Sequence, residues 1–205
     1  MIHQNKIWVT SDWHFNHNKD FIWKARGFSS IEEMNENIIE RHNSVVGEND
    51  IVYCLGDCGL GGAGQEALNQ LKNYIERLNG TIIIVQGNHC TDKRIDLYRQ
   101  CKNVQQVEIA TTLKYKGYHF YLSHYPTLTS NWDSDKPLKV KLISLAGHSH
   151  YQNRFKDMDK GLIYHVECDA HKCTPVSIDE ILKDINFFIS LDKDAQTELC
   201  KKDIY

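Results

Sequence analysis

Apolar residues along this chain come in short uninterrupted runs that stop abruptly at polar ones. The run at 81–85 is the purest, Thr81 followed by Ile82, Ile83, Ile84 and Val85, and it breaks off into Gln86-Gly87-Asn88-His89. A continuous β-branched stretch has no polar face. It therefore predicts a strand buried on both sides, as in a parallel sheet covered by helices. Similar runs stand at 7–10 and 51–55. The segments between them carry helical spacing instead. Ser30 with Glu33 three residues on predicts a capped start, and Ile31, Met34 and Ile38 mark the stripe. Leu68, Leu71, Ile75 and Leu78 form a second stripe, closed by Asn79-Gly80. The order strand, helix, strand, helix, strand predicts crossovers of one hand and a parallel sheet.

Beyond Cys90 the pattern changes. A short helix is expected over 91–100 and a strand over 104–109. A hairpin is expected over 113–122, turning at Lys116-Gly117. Two more strands follow, at 142–146 and at 162–166, the second ending near Asp169. This half predicts a second, more antiparallel sheet. Ser177 with Glu180 caps a last helix with its stripe at Ile178, Ile181, Leu182, Ile185 and Ile189. The residues from 192 on are polar and predict a loosely held tail. The expectation is an α/β fold with a single domain over 1–190 and a polar C-terminal tail over 191–205.

Length and charge narrow the classes of function. The 205 residues suit one full core. The formal net charge of −3 supplies no basic field for a polynucleotide, so a nucleotide substrate would be recognised locally. Residues 1–6 hold no apolar segment like a signal peptide, and no apolar run reaches membrane length. The seven cysteines include no C-x-x-C pair, which argues against a structural zinc site of that type. A cytoplasmic protein with reduced thiols is expected, with Cys54, Cys101, Cys168 and Cys200 as small core residues. Nothing in the chain specifies an oligomeric state.

The chemistry sits where the runs stop. Five strands end in Asp12/His14, Asp57, Asn88/His89, His124 and His148/His150. Asp12 and His14 are two apart, so in extended chain both side chains leave on one side. Carboxylate, imidazole and amide oxygen without thiolate suit Mn²⁺, Fe, Zn²⁺ or Ni²⁺ and do not make a hard oxygen cage for Ca²⁺. One ion cannot use so many ligands. Two divalent ions about 3.5–4 Å apart, bridged by a carboxylate, would use them all. His17 reads as a local hydrogen bond shaping the loop, with a substrate contact as the alternative. Arg26 reads as solvated, with a phosphate clamp as the alternative. The glycine-rich loop at 58–64 lacks the Lys-Ser/Thr ending of a P-loop and reads as a flexible turn.

The order Asp-x-His, Gly-Asp, Gly-Asn-His, a lone His and Gly-His-x-His, running from Asp12 to His150, resembles the calcineurin-like metallophosphoesterase superfamily. The wording at 11–17, 122–126 and 175–181 resembles its small bacterial and phage members. The resemblance implies two facing mixed β-sheets flanked by helices, an α/β/β/α sandwich. It also implies Asp12, His14 and His150 on one ion and Asn88, His124 and His148 on the other, with Asp57 bridging and manganese favoured. His89 matches the family's histidine that faces the leaving-group oxygen. The implied reaction is hydrolysis of a small phosphoester, a phosphodiester or nucleotide, by attack of a metal-bridging hydroxide. A phosphomonoesterase or a catalytically silent metal-binding module of the same fold is the alternative. A lactamase-like dinuclear hydrolase is disfavoured, because its clustered His-x-His-x-Asp-His pattern is absent. Two departures stand out. Cys90 occupies the place of the usual carboxylate after Gly-Asn-His, unless Asp92 substitutes. The segment 58–64 also lacks the arginine of the protein-phosphatase branch.

Overall fold

The computed structural model describes residues 5–62, 64–129 and 142–202. Ala63 of the glycine-rich loop, residues 1–4 of the N-terminal segment and residues 203–205 of the expected tail lie outside the described residues. The uninterrupted runs do form one sheet. It joins β1 (Ile7–Thr10), β2 (Ile51–Cys54), β3 (Thr81–Val85), β4 (Val104–Glu108) and β9 (Val176–Ser177) in the order β4-β3-β2-β1-β9. All its pairings are parallel except β1 with β9. Three parallel strands therefore point their C-terminal ends, and the residues at 12, 57 and 88, toward one rim.

The second sheet contains β5 (Ala110–Tyr115), β6 (Tyr118–Ser123), β7 (Leu142–Ala146) and β8 (Ile163–His165), in that order. It is less antiparallel than expected. Only the β5–β6 hairpin is antiparallel, while β6–β7 and β7–β8 are parallel. The tight turn at Lys116-Gly117 forces its two strands to oppose each other, whereas longer connections bring β7 and β8 back in one direction. Consequently His124 and His148 leave the ends of β6 and β7 on the same side.

Alternation along the first sheet divides the core. Trp8, Val52, Ile82 and Ile84 face one apolar cluster with Met34 and Ile38 of α2 (Ile31–Val45) and Leu71 and Ile75 of α3 (Gln65–Glu76). Val9, Leu55 and Val85 face the other, which holds Phe120, Leu122, Ile143 and Leu145 of the second sheet. Period-two alternation thus buries both faces of the sheet, which is why its strands read as continuous apolar runs. The helix α6 (Ile178–Ser190) joins the second cluster through Ile178, Ile181, Leu182, Ile185 and Phe188. Its capping box from Ser177 and Glu180 is present. Phe188 takes the buried place expected for Ile189, which is 39 % exposed.

The tail is better anchored than its polarity suggests. Lys193–Lys201 form a helix, α7, capped by the Asp192 side chain. Cys200 is buried beneath it, and Asn153 Nδ2 donates to the carbonyls of Leu199 and Lys202 at 2.8 and 2.6 Å. The buried thiol, the partly buried Leu199 and side-chain hydrogen bonds from Asn153 and Gln196 anchor it, so no full apolar stripe advertises the helix. Cys54, Cys101, Cys168 and Cys200 are all buried and all free.

Candidate metal centre

The loops after β1, β2, β3, β6 and β7 meet at one end of the sandwich. Backbone hydrogen bonds tie the first two together, Asp12 N to Gly56 O at 3.1 Å and His14 N to Asp57 O at 2.9 Å. Five of the candidate ligands adopt left-handed backbone: Asp12, His14, Asp57, His148 and His150, with φ of 58°, 53°, 48°, 73° and 53°. For residues with a Cβ this costs about 1–3 kcal/mol each and persists only where other contacts enforce it. Glycines beside them leave room for the carboxylates. A Cβ at Gly87 would collide with the Asp57 carboxylate, and one at Gly147 with Ser11 Oγ and the Asp12 carboxylate.

Each carboxylate divides its two oxygens. Asp12 Oδ2 accepts from Ser11 Oγ at 2.5 Å and from His148 N at 2.9 Å. Its Oδ1 is buried without a hydrogen-bond partner, 3.5 Å from His14 Nε2 and 3.8 Å from His150 Nε2. Asp57 Oδ1 accepts from His89 N at 3.0 Å. Its Oδ2 faces His124 Nε2 at 3.5 Å, His14 Nε2 at 3.9 Å and His89 Nε2 at 3.9 Å. Asn88 Oδ1 lies 2.8 Å from His124 Nε2 and 2.9 Å from His148 Nδ1. The seven expected ligands are thus brought together, with Asp57 between the two sets.

The outer ring nitrogens are already engaged. His14 Nδ1 meets His17 Nδ1 at 3.0 Å, His124 Nδ1 meets Leu55 O at 2.8 Å, and His150 Nδ1 meets Asp169 Oδ2 at 2.9 Å. Occupying Nδ1 in this way leaves Nε2 of each ring directed inward, the arrangement that metal-binding histidines adopt. An orphaned buried carboxylate oxygen, inward imidazole nitrogens and an amide oxygen fit divalent metal ions. The ligand atoms of Asp12, His14 and His150 all lie within 4.8 Å of one another, as do those of Asp12, Asp57 and His124.

Charge is distributed unevenly. Burial alone would raise the Asp12 carboxyl, but His14, with His150 and His124, carries it below its usual range. Burial pushes the His14 imidazole down and outweighs the pull of Asp12. His150 is raised, because Asp169 beside it overcomes the effect of burial. His17 is driven down to about 4 by burial and by the neighbouring histidines, so it stands neutral near pH 7.

Arg26 is neither solvated nor free to clamp a phosphate. Its side chain is 3 % exposed and paired to Asp169 through Nε at 3.1 Å and Nη2 at 2.8 Å. It also donates to the carbonyls of Asp12 and Trp13 at 2.8 and 3.1 Å, bracing the first metal loop from below. The fork of a guanidinium satisfies a carboxylate and two carbonyls at once, which a solvated lysine would not do. Asp169 was missed as a site residue. It is far in sequence from both partners, and its only signal is that it follows a strand on the rim side.

His89 occupies the rim with its side chain 39 % exposed. Its backbone is fixed, N to Asp57 and O to Arg94 Nη1 at 2.7 Å, while no hydrogen bond reaches its ring among the described residues. Cys90 Sγ accepts from Gly87 N at 3.2 Å and so closes the turn rather than orienting the ring. Among the described residues Asp92 makes no hydrogen bond to His89 either. A pocket of about 450 Å³ opens over the centre, lined by His14, His17, His89, His148 and His150 together with Phe21 and Gln152.

A sequence profile described as calcineurin-like phosphoesterase matches residues 5–197. The chain belongs to that family, whose members bind divalent metal ions and hydrolyse phosphoesters. It is 33 % identical over 182 residues to an uncharacterised protein of Methanocaldococcus jannaschii, covering 87 % of this chain and 90 % of that one. It is 26 % identical over 203 residues to the Gene 66 protein of Mycobacterium phage D29, covering 89 % and 96 %. A crystal structure of a protein of unknown function from Aquifex aeolicus shares the fold, with a TM-score of 0.66 at 22 % identity over 89 % of this chain and 100 % of that one. No helix among the described residues is long and apolar enough to cross a membrane.

Proposed function

We propose that this protein is a dinuclear metal-dependent phosphodiesterase acting on a small or nucleotide-type phosphodiester, with Mn²⁺ as the favoured metal. In this reading Asp12, His14 and His150 would hold one cation, Asn88, His124 and His148 would hold the other, and Asp57 would be shared by both. Cations bound there would supply positive charge to neutralise a phosphoryl group and would lower the pKa of a bound water. The chain's own residues do the rest. Asp169 and His17 keep the His150 and His14 rings turned inward. His89, exposed on the rim, delivers a proton to the departing oxygen.

The observation that carries the diester reading is the lining of the central pocket. Among the described residues it is lined by five candidate ligands, His14, Asp57, Asn88, His148 and His150, and by no lysine or arginine. A phosphomonoester brings a second negative charge that a cationic side chain normally meets, whereas a diester brings one. The test compares bis-p-nitrophenyl phosphate, p-nitrophenyl phosphate and phosphoserine peptides on one Mn²⁺-loaded preparation. The diester is expected to show the highest kcat/KM, with activity abolished by chelation and restored by Mn²⁺. A preference for phosphoserine peptides would overturn the reading.

A further inference from the structure

The central pocket does not end at the metal residues. Ala25, Gln152 and Asp169 also line a second chamber of about 340 Å³, so the two share a wall. That volume is within the range of small-molecule sites, roughly 300–1,000 Å³. The composition of the second chamber is the reverse of the first. Arg26, Arg41 and Lys172 line it, and its one carboxylate, Asp169, is already bound to Arg26. Among the described residues no carboxylate forms an ion pair with Arg41 or Lys172.

These cations are not merely loose surface charges. The Arg41 guanidinium lies 5.5 Å over the Phe28 ring, and its Nη1 donates to Lys172 O at 2.6 Å. The loop it holds is strained. Lys172 and Cys173 take left-handed backbone one after the other, with φ of 50° and 58°. Neither is a glycine, so this strain resembles that of the metal loops and needs a comparable cause. The Cys173 thiol is drawn below its ordinary range by a hydrogen bond from Cys168, with Arg26 and Arg41 adding to the effect against burial.

We propose that this second chamber is an anion subsite, in which Arg41 and Lys172 bind a further phosphate of the substrate while the scissile diester lies over the metal centre. The preferred substrate class is then a nucleotide diester that carries an additional terminal phosphate. This rests on the phosphodiesterase reading and narrows it. It also explains how a chain of net charge −3 recognises a polyanion: the positive charge is concentrated beside the site instead of being spread over a face.

The test uses two esters with one leaving group, thymidine 5′-(p-nitrophenyl phosphate) with and without a 3′-phosphate, on the Mn²⁺-loaded protein. One charge-assisted contact corresponds to about tenfold, so the 3′-phosphorylated ester should have a kcat/KM about tenfold higher, mainly through KM. Lys172→Gln, at an exposed position, should shrink that ratio, and Arg41→Gln with Lys172→Gln should bring it near one. A wild-type ratio near one overturns the subsite, and so does an equal fall for both esters in the variants. Should neither ester turn over, the phosphodiesterase reading fails. The subsite is then decided by affinity: tighter binding of thymidine 3′,5′-bisphosphate than of thymidine 5′-monophosphate, lost in the double variant, supports it, and equal binding overturns it.

Discussion

The two halves of the proposed metal centre are built differently. Asp12, His14 and His150 form a half that carries its own buried carboxylate. Behind it His17, Asp169 and the buried Arg26 fix the ligands from the rear. Asn88, His124 and His148 form a half with no carboxylate of its own. There His124 is oriented by a backbone carbonyl, Asn88 is exposed, and His148 is only partly buried. The first half is therefore set in advance by charge and burial, whereas the second borrows its negative charge from Asp57 and from Asp12, whose ligand atoms lie within 4.8 Å of that of His124. Preorganised ligands lose less freedom on binding and hold an ion more tightly. The first site should fill at lower metal concentration, and the second should depend on the bridge.

The strongest way to break this contrast is to remove the bridge. Asp57→Asn keeps the shape and deletes the shared charge. The second ion should be lost outright and the first weakened. Turnover should fall by more than ~10³-fold, since the charge a cation supplies at a phosphoryl group is worth several kcal/mol. Elemental analysis of the reconstituted variant checks it. Two ions retained at full occupancy would show that the halves do not share Asp57.

Next in size is His89, which lies outside both halves. His89→Ala should leave both ions bound and slow turnover by roughly 10²–10⁴-fold, the range for a lost general acid. Metal titration beside single-turnover kinetics separates the two effects. If an ion departs with the ring, His89 is a fourth ligand of the carboxylate-poor half, and the contrast between the halves is smaller than stated.

A narrower test addresses the rear of the first half. Asp169→Asn replaces one of the two oxygens that face His150 Nδ1 and Arg26 by a donor amide nitrogen, and leaves the buried Arg26 without its counter-ion. Affinity should fall ~10–100-fold at one site only, the usual effect of losing the group that orients a ligand. The metal-free protein should also lose stability, because an unpaired buried charge costs about 3–5 kcal/mol. Stepwise calorimetric titration with Mn²⁺ resolves the two sites. Equal weakening of both would mean that the centre is held as one unit.

The asymmetry between the halves also separates what the chain reveals in one dimension from what it does not. The clustering of the candidate ligands was legible because each terminates an apolar run, and because a strand places its terminal residues at a rim whatever its neighbours are. The parallel first sheet was legible from the unbroken Ile/Val run and the stripes at Leu68 and Ile31. The bracing behind the first half was not. Arg26 and Asp169 are 143 residues apart, both outside regular elements, and no periodicity connects them. The direction of β7 and β8 was likewise hidden, since connections, not strand composition, set it. The helix over Lys193–Lys201 was hidden for another reason: its single buried thiol leaves no stripe to read.

The smallest predicted effect concerns the turn that carries both Asn88 and His89. Cys90 is the place where the resemblance expected a carboxylate to orient the His89 ring, and here its sulfur accepts from Gly87 N instead. Burial pushes the Cys90 thiol up to about 12, so it stays neutral and adds no charge at neutral pH. In Cys90→Asp the carboxylate retains the Gly87 hydrogen bond and places a negative charge beside His89. An adjacent negative charge favours the imidazolium, so the fraction of His89 able to donate a proton rises and persists to higher pH. The gain falls only on leaving groups that need the proton. Alkoxide-type diesters should turn over about 3–10-fold faster, with the alkaline limb of kcat moved upward, while p-nitrophenyl esters change little. Both substrates are run on one preparation, so the ratio is independent of metal loading. An equal change for the two leaving groups would show that position 90 acts on the Asn88 ligand through the turn, and would assign it to the carboxylate-poor half instead of to the acid.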